Sequence, residues 1–281
     1  MVLTTFLPEN NDVNDVQNQA IYSAISHLTA VDQPALIFRT IATIPGALPW
    51  CWQRIGLLYQ QGLVQRAGWS IAPTLSMPSG LSISKEALEL VGINEDDRKK
   101  VERVLDVYNR VNPCNLIALG VLTLLLQNNR SVNAQTGWVP DHEPWIPPVP
   151  LIPLTVMVPP QQMEGKLSRI IQLISLDNDA TDQPVLVPSL YRHLANVPAF
   201  LALASTLLHP LMAQGQLLKL VTQVRELAFK ESTRLCETFV QGSDDPAPQH
   251  ERMKAVLERF SWKIPEMIVV GEILRRALVS R

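Results

Sequence analysis

The 281-residue chain has no CxxC pair, no glycine-rich phosphate loop and no clustered basic run. Each absence closes a class of function. Without a CxxC pair, Cys51, Cys114 and Cys236 support neither a zinc knuckle nor a dithiol redox centre. They read instead as reduced, buried thiols of a cytoplasmic protein. Scarce glycine and no βαβ pattern leave no nucleotide-binding fingerprint. A net charge of −2 gives no electrostatic footprint for DNA or RNA. Charged residues make up only 18% of the chain and hydrophobic ones 47%. That balance excludes a disordered protein and points to apolar surface buried against a second copy or lining a pocket. The N-terminal stretch MVLTTFLPENNDVND has neither the basic nor the apolar region of a signal peptide. The longest apolar run, Leu116 to Leu126, is about half of the roughly 20 residues a bilayer span needs, so it is expected to be a core helix. No nucleic-acid or membrane partner is expected.

Proline, by contrast, is concentrated. Eight prolines fall between Trp138 and Pro160. That density excludes helix and central strand. The interleaved Trp145, Ile146, Val149, Leu151, Ile152 and Leu154 are too apolar for a solvated linker, so the segment is expected to lie along the body as a strap. On either side of it the chain repeats itself. Phe38 to Pro45 (FRTIATIP) matches Tyr191 to Pro198 (YRHLANVP) at an offset of 153. In the same order, Asp32-Gln33-Pro34 matches Asp182-Gln183-Pro184, and Gln61-Gly62 matches Gln214-Gly215. Val104-Leu105-Asp106 then matches Val256-Leu257-Glu258, Tyr108 matches Phe260, and Pro113 matches Pro265. Collinear matches of this kind predict two copies of one unit of about 110 to 130 residues.

The unit reads as helical. Leu201, Ala204, Leu208 and Leu211 recur at helical spacing, and Val101, Val104, Leu105 and Tyr108 form the apolar face of the charged stretch from Asp96 to Asn109. Gly165 to Ser175 and Gln216 to Thr238 follow the same pattern. Ser84 is expected as an N-cap, and Asn112-Pro113 as a second helix start, with Asn as cap and Pro at the first helical position. The expected fold is all-α: two pseudo-twofold helical repeats, residues 16–127 and 165–281, joined by the Pro-rich strap 128–164 into one body.

FRTIATIPGALPWCWQR, VERVLDVYNRVNPCNLIAL and SLYRHLANVPAFL occur in this order and spacing. They resemble the group I 2-haloacid dehalogenases, also described as halocarboxylic acid dehydrogenase-like, over most of the chain. The resemblance implies an all-α fold with the active site between two pseudo-twofold repeats, a homodimer, and no cofactor or metal. It implies hydrolysis of a carbon–halogen bond in 2-haloalkanoic acids, with a carboxylate activating the attacking water and no covalent intermediate. Carried over by residue, it puts Asn112 at the water-holding asparagine and Ser189 at the serine before the catalytic aspartate. The aspartate position itself is Leu190, which cannot accept a proton. Asn115 stands where the family has a tyrosine, and Ala35 to Ile37 where it has an aromatic residue. The resemblance therefore implies a substrate pocket at Asn112, Asn115, Ser189 and Leu190, with the family's activity altered or lost.

His193, one turn after Leu190, is the candidate replacement base, since a neutral imidazole can accept a proton near neutral pH. The bland alternative is a buried or capping histidine. Asp179 and Asp182 precede the same helix, but Asp182 has its repeat mate in Asp32, so a turn role is expected for both. Asn112 is either an N-cap, worth about 1 kcal/mol, or a pocket residue. Arg39 and Arg192 are duplicated, which favours a shared structural role over carboxylate anchoring, although guanidinium suits both. His142-Glu143 has no second histidine at zinc-helix spacing. A duplicated helical unit is also similar to the alkylhydroperoxidase and carboxymuconolactone decarboxylase folds, whose redox members need a CxxC absent here. Two functions are thus carried forward: a divergent dehalogenase, or a non-catalytic protein that binds a short carboxylic acid or apolar ligand, or acts as a scaffold, through the cavity between repeats.

Overall fold

The computed structural model describes residues 6–127, 144–163, 165–176, 184–239 and 246–279. In chain order the helices are α1 (Val16–Thr29), α2 (Leu36–Ile41), α3 (Ala47–Gln60), α4 (Leu63–Trp69), α5 (Lys85–Leu90), α6 (Glu95–Gln127), α7 (Lys166–Leu173), α8 (Ser189–Leu194), α9 (Pro198–Ala213), α10 (Gln216–Phe239) and α11 (His250–Val279). Strand pairing among the described residues is limited to two isolated bridges, Phe6 with Val185 and Val31 with Ile152. The fold class is all-α, as expected from the sequence.

Local chemistry accounts for the helix ends. Asp15 Oδ1 accepts the Asn18 N–H at 3.1 Å and starts α1; Ser84 Oγ accepts the Ala87 N–H at 3.1 Å and starts α5. Asn94 Oδ1 accepts the Asp97 N–H at 2.9 Å, and Glu95, Asp96 and Asp97 place negative charge on the first turn of α6. Where α1 ends, Ala30 takes a left-handed conformation with φ 53°, and Arg110 donates to the Thr29 and Ala30 carbonyls at 3.3 and 2.8 Å.

The two long helices α6 and α11 pack along each other, and α10 and α4 pack on α6. The approach is close because small residues sit at the crossings. A Cβ on Gly120 would overlap Ser232 of α10, and one on Gly271 would overlap Asn109 of α6. The α9 stripe of Leu201, Ala204, Leu208 and Leu211 is buried as its spacing requires. By length and composition α6 alone among the described helices could cross a membrane, but 67% of its apolar window is buried inside the molecule.

The helix start expected at Asn112-Pro113 is not there. Helix α6 runs unbroken from Glu95 to Gln127 with Pro113 inside it, and Asn112 is mid-helix rather than a cap. Tertiary packing overrides the local signal. Gly68 of α4 lies against the backbone of Pro113 and Cys114, and Trp69 Nε1 donates to the Arg110 carbonyl at 2.9 Å.

The described part of the Pro-rich segment lies on the body. The Trp145 indole donates to the Leu28 carbonyl at 3.0 Å, its backbone N–H donates to Gln60 at 2.8 Å, and its ring packs on Trp69 at 5.6 Å. Ile146 and Leu151 remain exposed. Asp32 does not cap its own turn: Oδ2 accepts the Leu154 N–H at 2.8 Å and ties this segment down. Val158 N–H donates to the Arg192 carbonyl at 3.2 Å. An N-terminal arm runs beside both α2 and α8, with Leu7 N–H donating to Val185 at 3.0 Å and Asn10 N–H to Arg39 at 2.9 Å. Residues 138–143, including His142 and Glu143, and the aspartates Asp179 and Asp182 lie outside the described residues.

Candidate functional site

Four side chains on α6 at i, i+3, i+4 and i+7 spacing, Tyr108, Val111, Asn112 and Asn115, form one wall of a cavity. This spacing aligns them on a single helix face. Phe260, Lys263, Ile264 and Met267 of α11 repeat the spacing and form the facing wall. The first turns of α2 and α8 close the sides, and Leu154 and Met157 of the Pro-rich segment also line the space. The cavity volume is about 50 Å³. One water requires roughly 10–15 Å³ on that measure, so the space suits a molecule of a few heavy atoms.

Asn112, Asn115, Ser189 and Leu190 all face this one cavity. Leu190 is 1% exposed. Among the described residues, no Asp or Glu lines it. Its polar groups come from several elements. Asn112 Nδ2, Asn115 Oδ1, Ser189 Oγ and Arg39 Nε are buried without a hydrogen-bond partner. Buried polar groups are nearly always satisfied, so four together at one cavity mark a place built to meet a polar ligand. No group of three or more His, Cys, Asp or Glu side chains that could hold a metal ion occurs among the described residues.

Behind the wall lie three charged contacts. Glu9, 11% exposed, bridges Arg39 at 3.2 Å and Arg192 at 2.5 Å. The duplicated arginines therefore meet at one carboxylate, and Arg192 Nε also donates to Val158 at 3.1 Å. Burial pulls the Arg39 pKa down and Glu9 opposes it; a guanidinium stays charged regardless. Lys263 donates from Nζ to the Leu176 carbonyl at 2.9 Å and pairs with Glu266 at 3.0 Å. Glu266 in turn accepts the Leu176 N–H at 3.1 Å.

His193 is one layer behind the cavity. Its Nδ1 lies 2.7 Å from the Tyr108 hydroxyl and its Nε2 lies 3.2 Å from Gln33 Nε2. The ring is 1% exposed. Burial pushes its pKa down to about 4, while Asp32 and the Ser189 carbonyl pull the other way and Arg192 and Arg39 add to the fall. The imidazole is neutral at pH 7 and a weak base. Burial also raises the Tyr108 hydroxyl above its usual 10. Glu9, Lys263 and the link from Tyr108 to His193 were not singled out from the sequence. Two signals were available: a pair of repeated arginines needs a counter-charge, and Lys263 interrupts an apolar stripe.

The chain is 27% identical, over 226 residues, to a configuration-inverting 2-haloacid dehalogenase of Alcaligenes xylosoxydans xylosoxydans, covering 74% of this chain and 72% of that relative. Among solved structures, a D-2-haloacid dehalogenase mutant in complex with D-2-CPA superposes with a TM-score of 0.77 at 17% identity, over 99% of this chain and 96% of the other. A D-2-haloacid dehalogenase with L-LA gives 0.76 at 18% identity, over 98% and 97%. No protein-family model matches the chain. The chain thus resembles a 2-haloacid dehalogenase in sequence over about three quarters of its length, 74%, and shares the all-α fold of D-2-haloacid dehalogenases over nearly all of it.

Proposed function

We propose that this protein binds a small carboxylic acid in the cavity between α6 and α11, and that Leu190 has removed the water-activating step of its dehalogenase relatives. The observation that carries the reading is the composition of the wall. Arg39 Nε, Asn112 Nδ2 and the Tyr108 hydroxyl belong to residues lining a small space that no carboxylate side chain lines among the described residues. Such a site is complementary to a bound carboxylate. It offers no strong base to polarise a water, because Leu190 stands at the position where the resemblance requires aspartate. In this reading His193 is not the replacement base: it reaches the cavity only through Tyr108, and its low pKa makes it a poor acceptor.

The two-repeat organisation belongs to the same proposal. It is supported by α2 and α8, six residues each and starting 153 residues apart, by prolines inside both α6 and α11, and by the equally spaced walls. The ligand would then sit between the repeats 16–127 and 165–281, beside Leu154 and Met157 of the Pro-rich segment 128–164 that joins them. The cytoplasmic setting fits three free, buried cysteines, and the homodimer fits exposed Leu218 and Phe229 on α10. The test is binding of 2-chloropropionate by calorimetry with halide release measured in parallel. Binding without release supports the reading; turnover well above a His193→Ala control would reinstate a replacement base.

A further inference from the structure

Four side chains that the sequence scatters form one hydrogen-bonded row: Arg39, Gln33, His193 and Tyr108. Each link constrains the next. An arginine nitrogen only donates, so Gln33 presents Oε1 to Arg39 Nη1 at 3.2 Å. Its other end, Nε2, is then a donor facing His193 Nε2 at 3.2 Å. That ring nitrogen must be the bare acceptor, and the proton of the neutral ring resides on Nδ1. Nδ1–H donates to the Tyr108 oxygen at 2.7 Å. The phenol's own proton is left to point elsewhere. Ser189 Oγ lies beside it but makes no hydrogen bond of good geometry, so the proton is available to the cavity.

We propose that this row fixes Tyr108 as an obligate donor to the cavity, making Tyr108 the residue that selects an acceptor-only carboxylate head group over its amide or alcohol counterparts. The proposal rests on the reading of the cavity as a small-acid site. Arg39 Nε and Asn112 Nδ2, both without partners, supply the remaining donors. Asn115 Oδ1, one turn further along α6, is the acceptor left for the rest of the molecule. His193 and Gln33 are positioning residues. Their effect is exerted through the direction of one O–H bond, and neither needs to touch the ligand's head group.

The experiment has two independent readouts. Protein labelled with 15N-histidine, with His193 assigned by the loss of its signals in His193→Gln, gives the tautomer directly. The Nδ1–H form is expected, and the Nε2–H form overturns the row. Calorimetry then compares 2-chloropropionate with 2-chloropropionamide. The wild type is expected to favour the acid, and Tyr108→Phe, its fold checked by circular dichroism, to bind the acid about 10- to 100-fold more weakly while the amide changes little. A Tyr108→Phe protein whose acid-to-amide ratio matches the wild type overturns the selectivity role, since a purely packing role would shift both ligands together. Failure of the wild type to bind 2-chloropropionate overturns the small-acid reading and the selectivity role with it, whereas the tautomer still decides the row by itself.

Discussion

Under the proposed function Leu190 carries the largest weight of any single residue, because a buried apolar side chain stands where the family resemblance places a proton acceptor. Leu190→Asp is expected to gain measurable halide release from 2-chloropropionate while losing about 2–4 kcal/mol of stability, since it exchanges a packed leucine for a desolvated carboxylate. Chloride release and chemical denaturation check the two halves of that expectation. His193 makes a separate, pH-linked contribution. Its folded pKa is near 4 against 6.5 unperturbed. The unfolded ring takes up its proton as pH falls through 6.5, whereas the folded ring resists until near 4. The stability tied to the neutral ring is therefore intact above about pH 6.5 and falls by about 3 kcal/mol as pH drops to 4. Guanidinium melts at pH 7 and pH 4 should show the wild type losing more than His193→Gln; parallel losses would mean that the ring is not held neutral.

At the scale of elements, the sequence was most legible where periodicity decides. The stripes of α9 and of the first half of α6 follow from spacing, and the cap at Ser84 from its residue type. The Asn112-Pro113 step misled because local signals describe a helix start equally well whether or not the helix is already running. A distant glycine, Gly68, whose missing side chain lets α4 rest on the Pro113 backbone, packs on this turn of α6. Gly68→Ala should therefore push α4 off α6, costing about 1–3 kcal/mol. Because the affected turn carries Asn112, acid binding should weaken as well; calorimetry and denaturation on the same sample test both. The row from Arg39 to Tyr108 was invisible for a different reason. Its members lie 85 and 160 residues apart across individual links, and nothing in local sequence reports such pairings. The pocket residues Asn112, Asn115, Ser189 and Leu190 were reachable only through family resemblance, not through composition.

Elements far apart in the chain are joined by a few long-range ties. Glu9, on an N-terminal arm that no motif marked, joins Arg39 of α2 to Arg192 of α8. Removing one partner from a buried ion cluster leaves the others uncompensated. Glu9→Gln is thus expected to destabilise by about 3 kcal/mol, more than exposed pairs such as Lys85 with Glu89, which contribute about 0.5 kcal/mol or less. Denaturation of the two single variants, Glu9→Gln and Glu89→Gln, gives the comparison. Equal effects would mean that the arm is decoration and not a clasp.

In the proposed function the protein keeps an acid-binding cavity and lacks the base. One measurement addresses it most directly: purified wild-type protein is titrated with 2-chloropropionate while its thermal midpoint and the free chloride are followed together. A midpoint that rises with acid concentration is expected, as ligand binding to the folded state requires, with chloride that stays at the level of a protein-free control. Chloride accumulating in proportion to enzyme, or a midpoint indifferent to the acid, would contradict it.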